Sequence, residues 1–147
     1  MNLNIEKLIK VILNLDLRNM KTTMIGVMIM KPSRSLVVYV SGKYSDSDEE
    51  KVIDNIKIAG GYASALWDMG YTVICPHTNS ALFEKKGSCD WKGFMGGYLE
   101  LVKRCDVLFA IPNWKDSPGA KKEVAMAVKL NKHIFFNLED MCEEDGN

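Results

Sequence analysis

The chain has 147 residues, 47% hydrophobic and 26% charged, the make-up of one globular domain around one core, and its nineteen basic residues balance nineteen acidic ones. That balance argues against a nucleic-acid polymer as partner, since such binders carry a basic footprint, and no apolar run reaches the roughly 18 residues of a membrane span. The cysteines Cys75, Cys89, Cys105 and Cys142 have neither CxxC nor Cys/His metal spacing, so reduced thiols in a cytoplasmic, metal-free protein are expected.

The first element is "LNIEKLIKVILNLDL". Lys7, Lys10, Asn14 and Asp16 interrupt it, which argues against a signal peptide. Ile5, Leu8, Ile9, Ile12 and Leu15 fall on one helical face, so a short amphipathic helix is predicted. A methionine-rich stretch follows before the patterned part of the chain begins. Residues 1–34 are therefore read as an appendage, for which an oligomerisation arm and a start codon assigned too early are both consistent. Residues 35–138 form the domain, and residues 139–147 an acidic, solvated tail.

From Ser35 onward, strand and helix signals alternate. "LVVYV" (36–40) is a buried strand ending at Ser41-Gly42. A helix follows, with Asp46 or Ser47 as N-cap and Gly70 as stop. "YTVICP" (71–76) is a second strand closed by Pro76. After a polar loop through His77, Asn79 and Gly87, "DWKGFMGGYLELVKRC" is helical in its second half. "DVLFAIP" (106–112) is a third strand, "GAKKEVAMAVKLN" a helix and "KHIFFN" a fourth strand. This order predicts an α/β fold, a Rossmann-like or flavodoxin-like three-layer sandwich with a mostly parallel sheet of four to five strands.

Ligands of such sheets bind at the carboxyl ends of the strands. Three stretches end there: "YVSGKYS", "CPHTNS" and "IPNWKDSPGAKKE". Gly42 gives a tight strand exit, but neither GxGxxG nor a Walker loop is present, so no dinucleotide or triphosphate cradle is expected. Ser117 can cap the helix that Pro118 opens, and the free N–H groups of that helix start suit an anion such as phosphate; simple capping explains Ser117 equally well. Glu123 lies one turn further in, where an acid commonly just offsets the helix dipole. Its origin at a strand-to-helix junction makes it a candidate for the pocket floor. Tyr39, in the first strand, could reach the same edge, though a strand tyrosine usually packs. Trp114, Trp91 and Tyr44 are able to stack on a planar base, and His77 is more often a hydrogen-bonding loop group than a catalyst.

The stretches "VVYVSGKYS", "GYTVICPHTNS", "LELVKRCDVLFAIPNW" and "SPGAKKEVAMAVKLNKHIFF" resemble the nucleoside 2-deoxyribosyltransferase-like superfamily, particularly its small phage and bacterial members related to nucleoside 5'-monophosphate N-glycosidases. The resemblance spans about Leu36 to Leu138, and its most specific part is S-x-G-x3-E before an Ala-rich helix. It implies that Glu123 is the nucleophile that attacks the anomeric carbon and Tyr39 the tyrosine that orients it. Ser117 and Gly119 would contact the sugar or its 5'-phosphate, with Ser41, Gly42, Tyr44, His77, Asn79, Tyr98 and Trp114 completing the substrate site. Relatives carry a general-acid Asp where this chain has Tyr98, and a tyrosine with its usual pKa of about 10 is a poor proton donor to a leaving base. The resemblance thus implies cofactor-free cleavage or exchange of an N-glycosidic bond in a homodimer or larger homo-oligomer. The alternative is a non-catalytic nucleotide-binding or sensor protein that keeps the pocket without the acid.

Overall fold

A computed structural model describes residues 32–141; the amphipathic stretch near the start and Cys142 lie outside the described residues. The β-branched run forms β1 (Val37–Ser41), flanked in parallel by β2 (Thr72–Ile74) on one side and β3 (Val107–Ala110) on the other, with β4 (His133–Phe135) beyond β3. The strand order β2-β1-β3-β4 is parallel throughout. The chain thus reverses its direction of travel across the sheet between β2 and β3, which opens a crevice at the carboxyl ends of β1 and β3.

Successive strand side chains point to opposite faces. Val38 and Val40, with Val107 and Phe109, pack against Ala59, Ala63 and Leu66 of α1 (Glu49–Asp68). Tyr39, with Leu108 and Ala110, faces the other way into a second cluster. That cluster is closed by Val102 of α3 (Trp91–Arg104) and by Ala120, Val124 and Ala127 of α4 (Pro118–Lys129). The result is a three-layer α/β sandwich, and the small alanines let α1 and α4 approach the sheet closely.

Local chemistry shifts several boundaries from the sequence expectation. Asp48, rather than Asp46 or Ser47, caps α1 by accepting from Glu50 N at 2.9 Å. Gly70 ends that helix with φ +104°, a conformation side chains resist. Pro76 does not merely close β2; it opens the short helix α2 (Pro76–Asn79), where its missing N–H is no loss. The helix α3 is complete rather than confined to its second half, because Asp90 caps it by accepting from Gly93 N at 2.8 Å. A Cβ on Gly93 would sit 2.8 Å from Cys89 Sγ and 3.3 Å from Asp90 Oδ1, so a larger residue there would push the exposed Cys89 side chain aside. The acidic stretch starts with a 3₁₀ turn, Glu139–Met141, whose Met141 packs under α1 while its carbonyl accepts from Tyr71 Oη at 3.0 Å. Met141 therefore belongs to the core, while Glu139 and Asp140 stay exposed.

Candidate active site

Ser117 caps α4, accepting from Ala120 N at 3.1 Å, and Pro118 takes the first helical position. This start directs the second turn of α4 at the carboxyl end of β1. There Glu123 is buried, and its two oxygens are gripped separately: Tyr39 Oη donates to Oε1 at 2.7 Å and Ser41 Oγ to Oε2 at 2.5 Å. Tyr39 and Ser41 are two residues apart on one strand, hence on one face, which is why both reach the same carboxylate. Burial pushes the Glu123 pKa up to about 7, with the Ser41 and Tyr39 hydrogen bonds pulling it back down. Burial and the Glu123 charge raise the Tyr39 pKa well above its ordinary value, so it remains a donor. A buried carboxylate with fixed donors and a pKa near neutrality is suited to nucleophilic or acid–base work.

Glu123 forms part of the wall of a cavity of about 500 Å³. The loop after β1 contributes Gly42 and Tyr44, α2 and the residue after it contribute His77 and Ser80, and α3 contributes Trp91, Phe94, Met95 and Tyr98. The start of α4 supplies Ser117 and Gly119, with Asp116 before them. A Cβ at Gly42 would overlap Ile111 and come within 3.0 Å of Asn113 Oδ1, so glycine lets the β1 exit lie flat on β3's extension. Asn113 Oδ1 in turn accepts from Lys43 N at 2.9 Å, joining the two loops. His77 Nε2 lies 3.0 Å from the Lys43 carbonyl, and burial holds the ring's pKa below its ordinary value. The neutral ring therefore donates through Nε2, and Tyr44 packs edge-on against it at 5.8 Å.

Tyr98 stacks on Phe94 at 6.1 Å between centroids, and its hydroxyl is hydrogen-bonded to Ser80 Oγ. Burial raises its pKa, the Ser80 bond opposes that, and the charges of Glu123 and Glu84 add to the rise. Trp91 stands half-exposed at the rim with Lys122 Nζ 4.6 Å from its ring centre.

The fold thus brings Gly42, Tyr44, His77, Tyr98, Ser117, Gly119 and Glu123 to one cavity, with Tyr39 and Ser41 reaching it through Glu123. Asn79 and Trp114 stand elsewhere. Asn79 is exposed at the end of α2, and the next residue, Ser80, takes the wall position. Trp114 is buried in the cluster under α4, tilted against Phe136 at 5.8 Å between centroids. A tryptophan on a 3₁₀ turn after β3 has enough apolar area to be drawn into the core rather than offered to a ligand. Ser80, Glu84, Met95 and Asp116 also line the cavity. Nothing in sequence spacing singles out Glu84, since its place depends on how the loop between β2 and α3 folds back over Tyr44. Among the described residues no three His, Cys, Asp or Glu side chains converge as a metal site, and no helix is long and apolar enough to cross a membrane.

A family model described as "Domain of unknown function (DUF4406)" matches residues 36–136, the whole of the sheet and its helices. The chain belongs to that family. Its fold is similar to that of a 2-deoxyribosyltransferase from the psychrotolerant bacterium Bacillus psychrosaccharolyticus, with 23% identity, a TM-score of 0.51, and coverage of 71% of this chain and 79% of that one. A 2-deoxyribosyltransferase from Leishmania mexicana matches at 12% identity and a TM-score of 0.48 over 67% of this chain and 61% of that one. No curated protein matches the chain. This DUF4406 chain thus has a nucleoside 2-deoxyribosyltransferase-like, Rossmann-like α/β fold.

Proposed function

We propose that this DUF4406 protein cleaves or exchanges the N-glycosidic bond of a nucleoside or nucleoside 5'-monophosphate, with Glu123 as nucleophile. The observation that carries the reading is the Glu123 carboxylate, buried at the cavity wall and held by Tyr39 and Ser41 through opposite oxygens. Likeness to a fold that elsewhere serves 2-deoxyribosyl transfer supports it.

In the proposed reaction one Glu123 oxygen bonds to the anomeric carbon as the carbon–nitrogen bond breaks, its electron pair passing to the base nitrogen, which takes up a proton from solvent water. Water or a second base then attacks the same carbon and frees the carboxylate. Tyr39 and Ser41 keep the carboxylate aimed, and Tyr39 remains protonated throughout. Ser117 and Gly119, at the start of α4, face the sugar end of the substrate. Tyr98 occupies the position facing the leaving base, where its raised pKa makes it a hydrogen-bond partner rather than a strong acid. That residue is also what favours a second reading, a nucleotide-binding protein without turnover. Self-association as a homodimer or larger homo-oligomer belongs to the same proposal and is checked by light scattering.

The deciding experiment is incubation with ribo- and deoxyribonucleosides and their 5'-monophosphates, with and without a second free base, followed by chromatography. Base released or exchanged by the wild type and not by Glu123→Ala is the expected result. Thermal stabilisation by the same compounds without any product would establish the binder instead.

A further inference from the structure

Glu84 has no part in the reaction as proposed, yet it is anchored at the mouth of the same cavity. It lies in a 3₁₀ turn, Phe83–Lys85, on the loop between β2 and α3. Tyr44 Oη donates to its carboxylate, 3.0 Å from Oε1 and 3.1 Å from Oε2. The Tyr44 hydroxyl is itself fixed by accepting from Leu82 N at 3.0 Å. The neighbouring Lys85 pairs with Glu49 at the start of α1, which ties the turn down from its other side. A carboxylate offers about four acceptor positions, and a single hydroxyl proton occupies one at a time, so most of that capacity is open to a ligand.

The layout of the cavity gives that capacity a direction. Glu123 marks the sugar end, the parallel Phe94–Tyr98 pair offers an aromatic wall, and Glu84 stands at the mouth. The Tyr98 hydroxyl is held by Ser80, four residues before Glu84 on the same loop, and Tyr98, Glu84 and Glu123 all line the one cavity. On a purine nucleoside the edge farthest from the glycosidic nitrogen is the Watson–Crick edge, so a base lying along Tyr98 with its sugar at Glu123 turns that edge toward Glu84. Two carboxylate oxygens match two adjacent N–H donors in a bidentate pair. Among the common bases only guanine has a ring N–H next to an exocyclic amino group on that edge. Adenine and cytosine set a ring lone pair beside the amino group, and uracil and thymine flank their N–H with carbonyls.

We infer that Glu84, positioned by Tyr44, is the base-reading residue of this site and selects guanine nucleosides. The inference rests on the proposed nucleoside function. Its test is calorimetric titration of the Glu123→Gln protein, which does not consume ligand, with guanosine, inosine, adenosine and their 2'-deoxy forms, repeated after adding Glu84→Gln or Tyr44→Phe. Inosine keeps the ring N–H and lacks the amino group. The expected result is guanine nucleosides binding about tenfold or more tighter than inosine or adenosine, because a hydrogen bond to a charged group is at stake. Glu84→Gln should reduce that ratio to below about threefold, since the amide turns one acceptor into a donor, and Tyr44→Phe should give a ratio between the two. Equal binding of guanosine and inosine, or a preference that survives Glu84→Gln, would overturn the assignment while leaving nucleoside binding intact. Failure of every nucleoside to bind would overturn both the assignment and the function on which it rests.

Discussion

The two edges of the sheet differ in one polar group. At the amino edge polar side chains meet backbone needs: Asp106 Oδ2 accepts from Val37 N at 2.8 Å, Arg34 Nη1 donates to Tyr71 O at 2.6 Å, and Lys132 donates to Cys105 O. These groups remain near solvent and close loose backbone ends. At the carboxyl edge a carboxylate is buried against a strand, served by two side-chain hydroxyls and satisfying no backbone group. Its pKa rises because burial outweighs those two hydrogen bonds. The comparison teaches that most polar groups at either edge complete the fold, as Asn113 and Ser117 do at the carboxyl edge, while Glu123 alone of those named is held against a cost in stability, the pattern expected of a functional group.

Changing Glu123 tests that contrast most strongly. On the proposed reaction, Glu123→Gln should lower base release by about 1,000-fold or more, since an amide cannot replace the carboxylate that would attack the sugar. It should also stabilise the protein in a pH-dependent way. The folded pKa of about 7 stands above the ordinary 4.5, so the contribution of Glu123 to stability is fully present below about pH 4.5 and is lost as pH rises through 7. Urea unfolding should therefore show the amide variant gaining on wild type by roughly 1–3 kcal/mol between pH 5 and pH 8. A difference that does not change with pH would mean that the carboxylate is an ordinary structural group.

Tyr39→Phe removes one donor from the carboxylate and should raise the Glu123 pKa further. The acidic limb of the kcat/KM profile then moves to higher pH by about half a unit to one unit, with activity down about tenfold. A limb that stays in place would separate Tyr39 from the chemistry. At the opposite edge, Asp106→Ala should cost about 1 kcal/mol in urea unfolding, from the unpaired Val37 N–H, and leave the pH profile unchanged. The smallest effect belongs to Asn79→Ala. Exposed and turned away from the cavity wall, it should change stability by less than about 0.5 kcal/mol and leave nucleoside affinity as it was in calorimetry.

Much of the scaffold was legible because local rules and burial agree on it. The strands, their parallel direction and the Ser117-Pro118 helix start follow from alternation, capping and proline chemistry, whereas the strand order did not. The full length of α3 was harder to read, since its glycines speak against a helix until Asp90 is seen to cap it. Met141 looked like tail because it sits among acids, yet the core draws it in.

The site divides along the same line. Composition and periodicity by themselves determined the α/β class and the edge at which ligands should bind, whereas Glu123 and Tyr39 were singled out by their strand-end positions together with the family resemblance. Tertiary structure alone decided that Ser41 shares the carboxylate with Tyr39, that Trp114 goes into the core, and that Ser80 rather than Asn79 faces the cavity. It also decided that Glu84 comes to the cavity mouth beside Tyr44, 40 residues away in the chain. The physical reason is range. Caps, turns and alternation act over a few residues and are written locally, whereas the approach of Glu84 to Tyr44 or Glu123 to Tyr39 depends on how packed layers bring distant segments together.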